Sequence, residues 1–502
     1  MDGEQALPEE VWAQILQLLP DEDIKTMALV HRVFRPYASP IIWRRLTVCS
    51  ILPNHIKKAR AIRKNPHLAR QVTSLHLHPA NWVTADKVKP WTSLWIISTP
   101  TFWSALKHAN WSHPILSWRY YRRSLASIKT STTVVPLLTN IQEISVIPSS
   151  FHKTYGLPPL EPYCAIWAGL RTEHLQTLNL QFVTNDATQV FSRAMQSASP
   201  VVFESLQTLR LKIASGRGLY SGFKDDLQAI LNCGRASLRS LKISFDPIQS
   251  DYRTEVFGAL GVFPKLAQFY YESPSFSTPT HAQLLGPHLI PFLSKHRSTM
   301  KKLHLSAFIM CGSILHYLCG PHNDHDEALR LETFTFTYPL SLAGRDNRIP
   351  DFGRFRETLT CLMLFSKGWA GGFRYEQLVV LFSSLEHPTR GVLLTKLWIH
   401  VSALSPDMLD LMATSLVNLK CLEMCYGMLV GSRDQRTDNE GLFHQNMRGR
   451  AYPDWGLLTL DTKSWTGQDR IPTRDMKEFI PSLKEIGSID WEDVKLVFTP
   501  WY

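Results

Sequence analysis

The sequence predicts an α + α/β chain in which a small N-terminal unit of three short helices precedes an irregular repeat solenoid. Two observations favour this class. Residues 7–46 carry apolar residues at helical spacing, interrupted by prolines. A short apolar strand pattern then recurs along the 502-residue chain, with amphipathic stretches in between, such as 187–195 and 224–231, that we expect to be helices. We expect a parallel sheet on the concave face and helices outside, with domains at 1–48 (the helical unit), 49–71 (a linker helix) and 72–502 (the repeats).

The N-terminal helices follow from local signals. Leu7-Pro8-Glu9-Glu10 suits a first helical turn, because proline and acidic residues are favoured there. Residues 20–23, Pro-Asp-Glu-Asp, end this helix and provide the N-cap of the next. The apolar positions are Val11, Ile15, Leu18 and Leu19 in the first helix and Ile24, Met27, Ala28 and Val30 in the second. Three short helices bury little apolar area alone, so the unit needs a partner or more of its own chain.

This stretch resembles the F-box, whose pattern runs Leu-Pro-x-Glu, Ile-Leu, Leu-Pro, an aliphatic residue, then Val and Arg-x-Phe. The matching positions are Leu7, Pro8, Glu10, Ile15, Leu16, Leu19, Pro20, Ile24, Val30, Arg32 and Phe34. Trp12 departs from the pattern, because the family more often has a smaller aliphatic residue there. The resemblance implies docking onto the Skp-type linker of a cullin–RING ubiquitin ligase. The linker-binding residues that it implies are Leu7, Pro8, Ile15, Leu16, Leu19, Pro20, Ile24, Val30 and Phe34.

The repeat pattern is L-x-x-L-x-L with apolar substitutions. Its copies begin at Val72, Ile141, Leu175, Leu206, Leu238, Leu266, Met300, Leu331, Leu359, Leu394, Leu419, Trp455 and Leu483. From Leu175 onward the starts lie roughly 25 to 36 residues apart, which is a repeat-protein period. The fourth and sixth positions point to the same side of a strand, so each repeat buries two apolar groups. The arrangement resembles a leucine-rich-repeat horseshoe.

The repeats depart from the well-formed family pattern. That family places Asn or Cys three residues after the last leucine, whereas this chain has Val183, Ala214, Asp246, Phe308 and Lys367 there. We therefore expect irregular repeats. The pattern is nearly lost between the first two copies, although residues 91–96 fit one more unit. A helix that ends in Asn-Pro at residues 65–66, just before the first repeat, resembles the junction in many fungal F-box proteins.

Composition and the terminal sequence indicate the cellular compartment of the chain. The N-terminus is polar and acidic, unlike a signal peptide, and no run approaches the roughly 18 apolar residues of a membrane helix. The eight cysteines show no disulfide spacing, which favours reduced thiols in the cytoplasm or the nucleus. The net charge is +11, and its densest run is residues 57–64. This run fits a solvated helix face, or alternatively a nuclear-targeting or anion-binding patch.

The sequence carries no catalytic signature. Runs of the forms G-x-x-x-x-G-K-[ST], G-x-S-x-G and H-E-x-x-H are absent. The polar loop at 322–327 lies near Cys311, His316 and Cys319, but the spacing is not that of a zinc site. Cys421 and Cys425 follow the period of a strand. We therefore expect no enzymatic activity, no cofactor and no metal.

The outward positions of the predicted strands indicate what the sheet binds. The third, fifth and seventh positions of each repeat should face the concave side. The candidate substrate-binding residues there are Arg210, Lys212, Lys242, Lys302 and His304, with Phe365 and Trp398 as apolar anchors. Cations on neighbouring strands would form one positive area, which favours an acidic or phosphorylated protein segment. Nucleic acid is disfavoured, because the outward aromatic residues form no regular stacking series.

Together these features predict a substrate-recognition adaptor of an SCF-type cullin–RING ubiquitin ligase. The F-box would hold the linker and the repeats would hold a protein substrate, with no membrane contact. The alternative is a structural or regulatory repeat protein, unrelated to ubiquitin, that acts as a protein-binding scaffold. Its N-terminal helices would then be an ordinary amphipathic hairpin, and linker binding separates the two hypotheses. An enzyme that uses the Cys/His loop is a third hypothesis, which metal analysis tests.

Overall fold

The structure, a computed structural model, describes the chain in segments. These are residues 8–49, 53–78, 129–147, 168–182, 203–213, 223–245, 257, 260–273, 279–307, 312–320, 329–339, 349, 351–367, 372–464 and 473–484, apart from 31, 172 and 436. The chain divides into two compact units, Met1–Leu238 and Arg239–Tyr502. Both units contain parallel strands with helices in the connections.

Three short helices open the first unit: α1 (Glu9–Gln17), α2 (Asp21–Val30) and α3 (Arg35–Trp43), with a 3-10 turn at Arg32–Phe34. The Pro8 carbonyl starts α1 by accepting the N–H groups of Val11 and Trp12 at 3.1 and 3.2 Å. Three acidic residues form the first turn of α2, where carboxylates interact favourably with the unpaired N–H groups of the helix end. The helix boundaries predicted from the prolines at 8 and 20 are confirmed.

Parallel strands follow in the first unit. They are β1 (Arg45–Cys49), β2 (Ser74–His78), β3 (Glu143–Val146), β4 (Thr177–Phe182) and β5 (Thr208–Ile213), each paired with the next. The connections contain α4 (Pro53–Lys64) and 3-10 turns at Pro66–Gln71 and Val135–Leu137, and the helix Phe223–Cys233 follows β5. The sequence pattern does not predict β1. It lies before residue 72, so strand pairing begins directly after the helical unit.

The second unit continues the same alternation. Its strands are β6 (Ser240–Phe245), β7 (Gln268–Ser273), β8 (Lys302–Ala307), β9 (Thr333–Pro339), β10 (Cys361–Lys367), β11 (Lys396–Leu404), β12 (Cys421–Leu429) and β13 (Thr459–Ser464). Each pairs in parallel with the next. Its helices are Pro279–Lys295, Gly312–Cys319, Tyr375–Leu385, Pro406–Ser415, Glu440–Met447 and Thr473–Phe479, with a 3-10 turn at Gly353–Phe355.

A backbone pattern recurs at the start of the strands. The Gln142 carbonyl accepts two N–H groups, from Gln176 at 2.8 Å and from Thr177 at 2.9 Å. The carbonyls that accept in the same way are those of Arg44, Thr73, Gln176, Arg239, Ala267, Lys301, Glu332, Thr360, Thr395 and Lys420. These paired bonds, which we call the carbonyl ladder, set the register between one strand and the next.

The leucine positions of the repeats are buried as predicted. The six leucines expected on the inner side of the strands are Leu178, Leu180, Leu209, Leu211, Leu241 and Leu303, and all are buried. Leu178 and Leu180 pair with Leu209 and Leu211 in the first unit, and Leu241 and Leu303 flank Phe269 in the second. The prediction of their burial on parallel strands is confirmed.

The predicted register of one repeat is wrong. Pairing aligns Leu422 of β12 with Leu460 of β13, so this repeat begins at Leu457 rather than at Trp455. Trp455 is buried instead in the preceding turn, where its indole N–H donates to the Leu416 carbonyl at 3.2 Å. Two leucines in a row, at 457 and 458, make the hydrophobic pattern ambiguous here.

Some predicted features lie outside the described residues. These are the extra unit at 91–96, an amphipathic helix at 187–195, the loop at 322–327, and Leu7. A predicted helix at 224–231 lies within Phe223–Cys233 and is confirmed. At the last copy, Lys484 N–H donates to the Leu458 carbonyl at 3.0 Å, as at the start of the earlier repeats.

His296 closes the turn after the helix Pro279–Lys295. Its ring is buried, with Nδ1 2.7 Å from the Phe292 carbonyl and Nε2 accepting the Phe263 N–H at 2.9 Å. Because Nε2 accepts a hydrogen bond, the ring is neutral and carries its proton on Nδ1. Burial lowers the pKa of His296, the bond to the Phe292 carbonyl raises it, and the charge of Lys295 lowers it further.

We predict that acid destabilises the second unit through His296. The unfolded chain takes up a proton at a pH of about 6.5, whereas the folded ring resists it, so the free energy of unfolding falls as the pH drops below that value. Denaturant unfolding of the wild type and of His296→Asn, between about pH 7.5 and about pH 5.5, tests this. The variant should be less stable at the higher pH and should lose less stability on acidification. Equal losses in the two proteins would contradict the prediction.

We also predict that a buried leucine on the inner side of a strand contributes several times more to the free energy of unfolding than the outward residue next to it. Leu209→Ala should lower the free energy of unfolding by about 2–5 kcal/mol, because it leaves a cavity between packed repeats. Arg210→Ala, at the next and exposed position, is the matched control and should change stability little. Chemical denaturation of the full chain measures both, and similar losses would show that the strand faces are misassigned.

Candidate functional site

The three N-terminal helices enclose a small core of their own. Its buried residues are Leu16, Ile24, Ala28 and Ala38, and Leu19, Met27, Phe34, Tyr37 and Ile41 pack against them. Trp12, the departure from the family pattern, contacts Phe34 edge-on with ring centroids 5.0 Å apart. Leu16 and Ile24, two predicted linker contacts, are therefore core residues. The prediction that they face a linker is wrong in this structure, because their side chains fill the space between the helices.

Other apolar side chains of this unit face the solvent. Leu18 and Leu29 are both 86% exposed and Val30 is 78% exposed, at the ends of α1 and α2. We use the name apolar patch for these three exposed side chains, Leu18, Leu29 and Val30, which lie at two different helix ends. Of the predicted linker contacts, Pro8, Pro20 and Val30 are exposed, whereas Ile15, Leu19 and Phe34 are partly buried. The sequence analysis does not identify Leu29 as a linker contact. The signal is that Leu29 and Val30 are consecutive, so they cannot both lie on the helix face that carries the buried Ile24 and Ala28.

Lys58 of α4 fastens the helical unit to β1. Its ammonium group donates to the Ile42 carbonyl and, at 2.6 Å, to the Arg45 carbonyl, and lies 5.4 Å from the centre of the Trp43 ring. The carbonyls at a helix C-terminus carry partial negative charge, so a cation is favoured there. Burial, together with the charges of Lys25 and Arg45, lowers the pKa of Lys58 to about 8.

A second contact joins the same parts. Ser39 Oγ of α3 donates to Gln71 Oε1 at 2.8 Å, at the end of the 3-10 turn that precedes β2. The Arg44 carbonyl accepts the N–H groups of Thr73 and Ser74, both at 3.0 Å. The helical unit is thus held on the first two strands by side-chain and backbone bonds.

Comparison with known families supports an assignment for this unit. Residues 5–49 match the family model described as F-box-like. The N-terminal unit is an F-box-like domain. No curated protein matches the chain. F-box domains bind Skp-type linkers.

The outward face of the first unit is polar. Strand pairing places Thr47, His76, Ser145, Asn179 and Arg210 side by side across β1–β5. The Glu143 carboxylate accepts hydrogen bonds from Asn179 Nδ2 at 2.9 Å and from Ser74 Oγ at 3.2 Å. Arg210 is exposed and Lys212 is partly buried, so the structure places both on the predicted side of β5.

The cations of the second unit are less available than predicted. Lys242 Nζ lies 2.7 Å from Glu272 Oε1, and His304 Nε2 lies 3.8 Å from the same oxygen. Burial lowers the pKa of His304 to about 4 against the opposing effect of Glu272, so the ring is neutral at pH 7. Lys302 is partly buried on β8. The prediction of one positive area is wrong for Lys242 and His304, because Glu272 offsets the first charge and burial removes the second.

Phe365 and Trp398 occupy outward positions but are not accessible. They are 6% and 2% exposed, and their ring centroids lie 3.8 Å apart. The Trp398 ring also lies 4.5 Å from His400, which is buried too. The prediction of two exposed apolar anchors is wrong, because Phe365 of β10 and Trp398 of β11 pack against each other and both are buried. The near-continuous apolar run Leu-Trp-Ile-His-Val at 397–401 is the sequence signal for such a strand.

Cys319, Cys421 and Cys425 are poor nucleophiles. Burial raises the pKa of Cys319 and of Cys425 to about 12 and that of Cys421 to about 11, so these thiols stay protonated at neutral pH. Among the described residues, no group of three or more His, Cys, Asp or Glu side chains is arranged to hold a metal ion. No helix in the described segments is long and apolar enough to cross a bilayer.

We predict that Cys319 and Cys425 react slowly with iodoacetamide in the folded protein and rapidly after denaturation, because the thiolate is the reactive form and burial suppresses it. Site-resolved mass spectrometry after a short labelling pulse at neutral pH measures both rates. Addition of denaturant provides the matched control within the same chain. Equal labelling before and after unfolding would contradict the assignment of these thiols as buried and inert.

Proposed function

We propose that the chain is the substrate-recognition adaptor of an SCF-type cullin–RING ubiquitin ligase. The single observation that carries this proposal is the F-box-like domain at residues 5–49. The domain would bind the Skp-type linker, and the strand-rich remainder would hold a protein substrate. The chain's contribution would be positioning, since holding the substrate near the charged ubiquitin carrier raises their effective concentration.

The apolar patch supports linker binding by this domain. Two leucines and a valine with most of their surface in water contribute nothing to the helical core, and such exposed groups are typical of a protein interface. Pro8 and Pro20 are exposed in the same domain and belong to the family's pattern. We therefore assign linker binding to Pro8, Pro20 and the apolar patch, and the maintenance of the fold to Leu16 and Ile24.

We infer further that the parallel strands form irregular leucine-rich repeats, with the sheet on the concave side and the helices outside, as in fungal F-box proteins of that kind. The buried inner leucines and the carbonyl ladder support this inference. We place the protein in the cytoplasm or the nucleus, where reduced thiols and ubiquitin ligases of this class occur. A scaffold unrelated to ubiquitin could use the same strands, so the linker is the deciding partner.

We predict that the double variant Leu29→Asp/Val30→Asp loses linker binding and keeps its fold. Two carboxylates at the centre of an apolar contact should weaken binding at least tenfold, which is about 1.4 kcal/mol. Co-purification of a Skp-type linker with the full chain measures binding, and circular dichroism checks folding. Val380→Asp is the matched control, because Val380 is another exposed helical valine, on Tyr375–Leu385 in the second unit. Failure of the wild type to bind the linker would favour the scaffold alternative.

A further inference from the structure

We propose that the exposed face of α4 binds the phosphate backbone of double-stranded DNA. This face, which we call the basic face, consists of Lys57, Arg60, Arg63 and Lys64. The inference goes beyond the proposed function and does not depend on linker or substrate binding. It assigns a partner to the basic run at 57–64, for which the sequence alone allows a solvated face, a targeting segment or an anion-binding patch.

The exposed side of α4 carries only cations. The helix turns its apolar residues inward, and Ile56, Ala59 and Ile62 are all buried. Among residues 55–64, the exposed positions are the four of the basic face, and each is a lysine or an arginine. At 1.5 Å per residue, the first and the last of them lie about 10.5 Å apart along the helix axis. The four charges are therefore densely spaced.

No acidic group offsets these charges within the described part of the chain. None of the four side chains has a hydrogen bond or an ion pair there. Between Asp23 and Glu143 the sequence contains a single acidic residue, Asp86, which lies outside the described residues. Burial, together with two further positive charges, lowers the pKa of the neighbouring Lys58 to about 8, which indicates a positive local potential. The basic face is thus available to an external polyanion.

α4 presents these cations on a folded surface. The helix packs on β1, and Lys58 bonds the Ile42 and Arg45 carbonyls. A receptor that reads a basic targeting segment as an extended chain would have to unfold α4 and remove Ile56 and Ile62 from the core, which costs the free energy of their burial. The structure therefore favours a partner that binds the helix as it stands.

The composition of the basic face favours a phosphate backbone over a protein surface or a membrane. Protein–protein interfaces have an apolar core that is depleted in lysine, whereas protein–DNA interfaces are much more positively charged. No exposed apolar side chain lies among residues 55–64. A helix that binds in a membrane surface inserts apolar side chains into the bilayer, and those of α4 are buried in the protein instead.

Groove dimensions favour DNA over double-stranded RNA. An α-helix with its side chains is about 10–12 Å across, and the major groove of B-form DNA is about 12 Å wide. The major groove of A-form RNA is deep and narrow, and side chains cannot read it. A helix face in the DNA groove brings its cations towards the phosphates of both strands. Paired bases need no stacking on aromatic residues, so the lack of a stacking series on the predicted strands does not oppose duplex binding.

The test uses the full chain and a short fluorescein-labelled DNA duplex, with binding measured by fluorescence anisotropy. Lys57→Glu/Arg60→Glu should weaken binding at least tenfold, because it replaces attraction by repulsion. Arg171→Glu/Arg210→Glu is the matched control. It makes the same change in net charge at exposed positions of the first unit outside α4, and it should weaken binding far less. Circular dichroism checks the fold of both variants.

Salt dependence provides a second measurement. The logarithm of the binding constant should fall linearly with the logarithm of the salt concentration, because phosphate contacts release counterions. Lys57→Ala/Arg60→Ala should reduce the magnitude of this slope by about 0.9 for each phosphate contact that is lost. An unchanged slope would show that the basic face is only solvated.

Several other outcomes would overturn the inference. They are absence of duplex binding at low salt, equal weakening by the two charge reversals, and tighter binding by double-stranded RNA than by DNA. Tighter binding by a polyglutamate peptide or by phosphatidylserine vesicles, if Lys57→Glu/Arg60→Glu abolishes it, would assign the basic face to an acidic protein or to a membrane instead. Linker co-purification is measured in parallel. Its absence in the wild type would refute the ligase proposal and leave this inference intact.

Discussion

In the carbonyl ladder, one backbone oxygen before each strand accepts two N–H groups from the start of the following strand. The Lys420 carbonyl, for example, accepts from Leu458 and Thr459, both at 2.9 Å. These bonds place equivalent positions of neighbouring strands opposite each other. The leucines of successive repeats therefore align and bury one another. Only the first residues of each strand must be aligned with those of the preceding strand. The connections between strands can therefore vary in length at a modest cost in loop-closure entropy. Repeats of unequal length are therefore compatible with regularly aligned leucines on the inner side of the strands.

The same constraint leaves the outward positions free to differ along the chain. On β2–β5 they carry hydroxyl, amide and guanidinium groups, with a buried acceptor at Asn179 beside exposed Arg210. On β10 and β11 they carry aromatic rings that contact one another at a tilt and are buried. The first arrangement leaves Arg210 exposed, and the second adds to the interior of its own unit. The same backbone arrangement thus carries polar outward residues on β2–β5 and buried aromatic ones on β10 and β11.

Much of the fold could be predicted from sequence because strand burial follows a period of two. That period identifies Leu178 and Leu209 as inner residues without knowledge of the rest of the chain. The helical period is less decisive in a three-helix unit, where Leu16 is core and Leu18 is solvent-exposed two positions later. Which of them faces inward depends on where α2 and α3 pack, and that is a tertiary property.

Charge was the least predictable feature of the candidate site. The sequence shows which residues are cations, but their availability depends on neighbours that belong to other strands. Lys242 is offset by Glu272 from the next repeat, and His304 loses its charge through burial. Arg210 is exposed, and the acid on its face, Glu143, lies two strands away and bonds Asn179 and Ser74. Such pairings cannot be read from the spacing within one repeat.

The Lys58 contact has a consequence for modular exchange between proteins. The ammonium group that binds the Ile42 and Arg45 carbonyls comes from α4, beyond the end of the matched F-box-like segment. A chimera joined at residue 49 would separate these partners and would leave the Ile42 and Arg45 carbonyls without their cation. A transplant that extends through residue 78 keeps Lys58, Gln71 and the β1–β2 pair together. The transferable module is therefore longer than the sequence motif that identifies it.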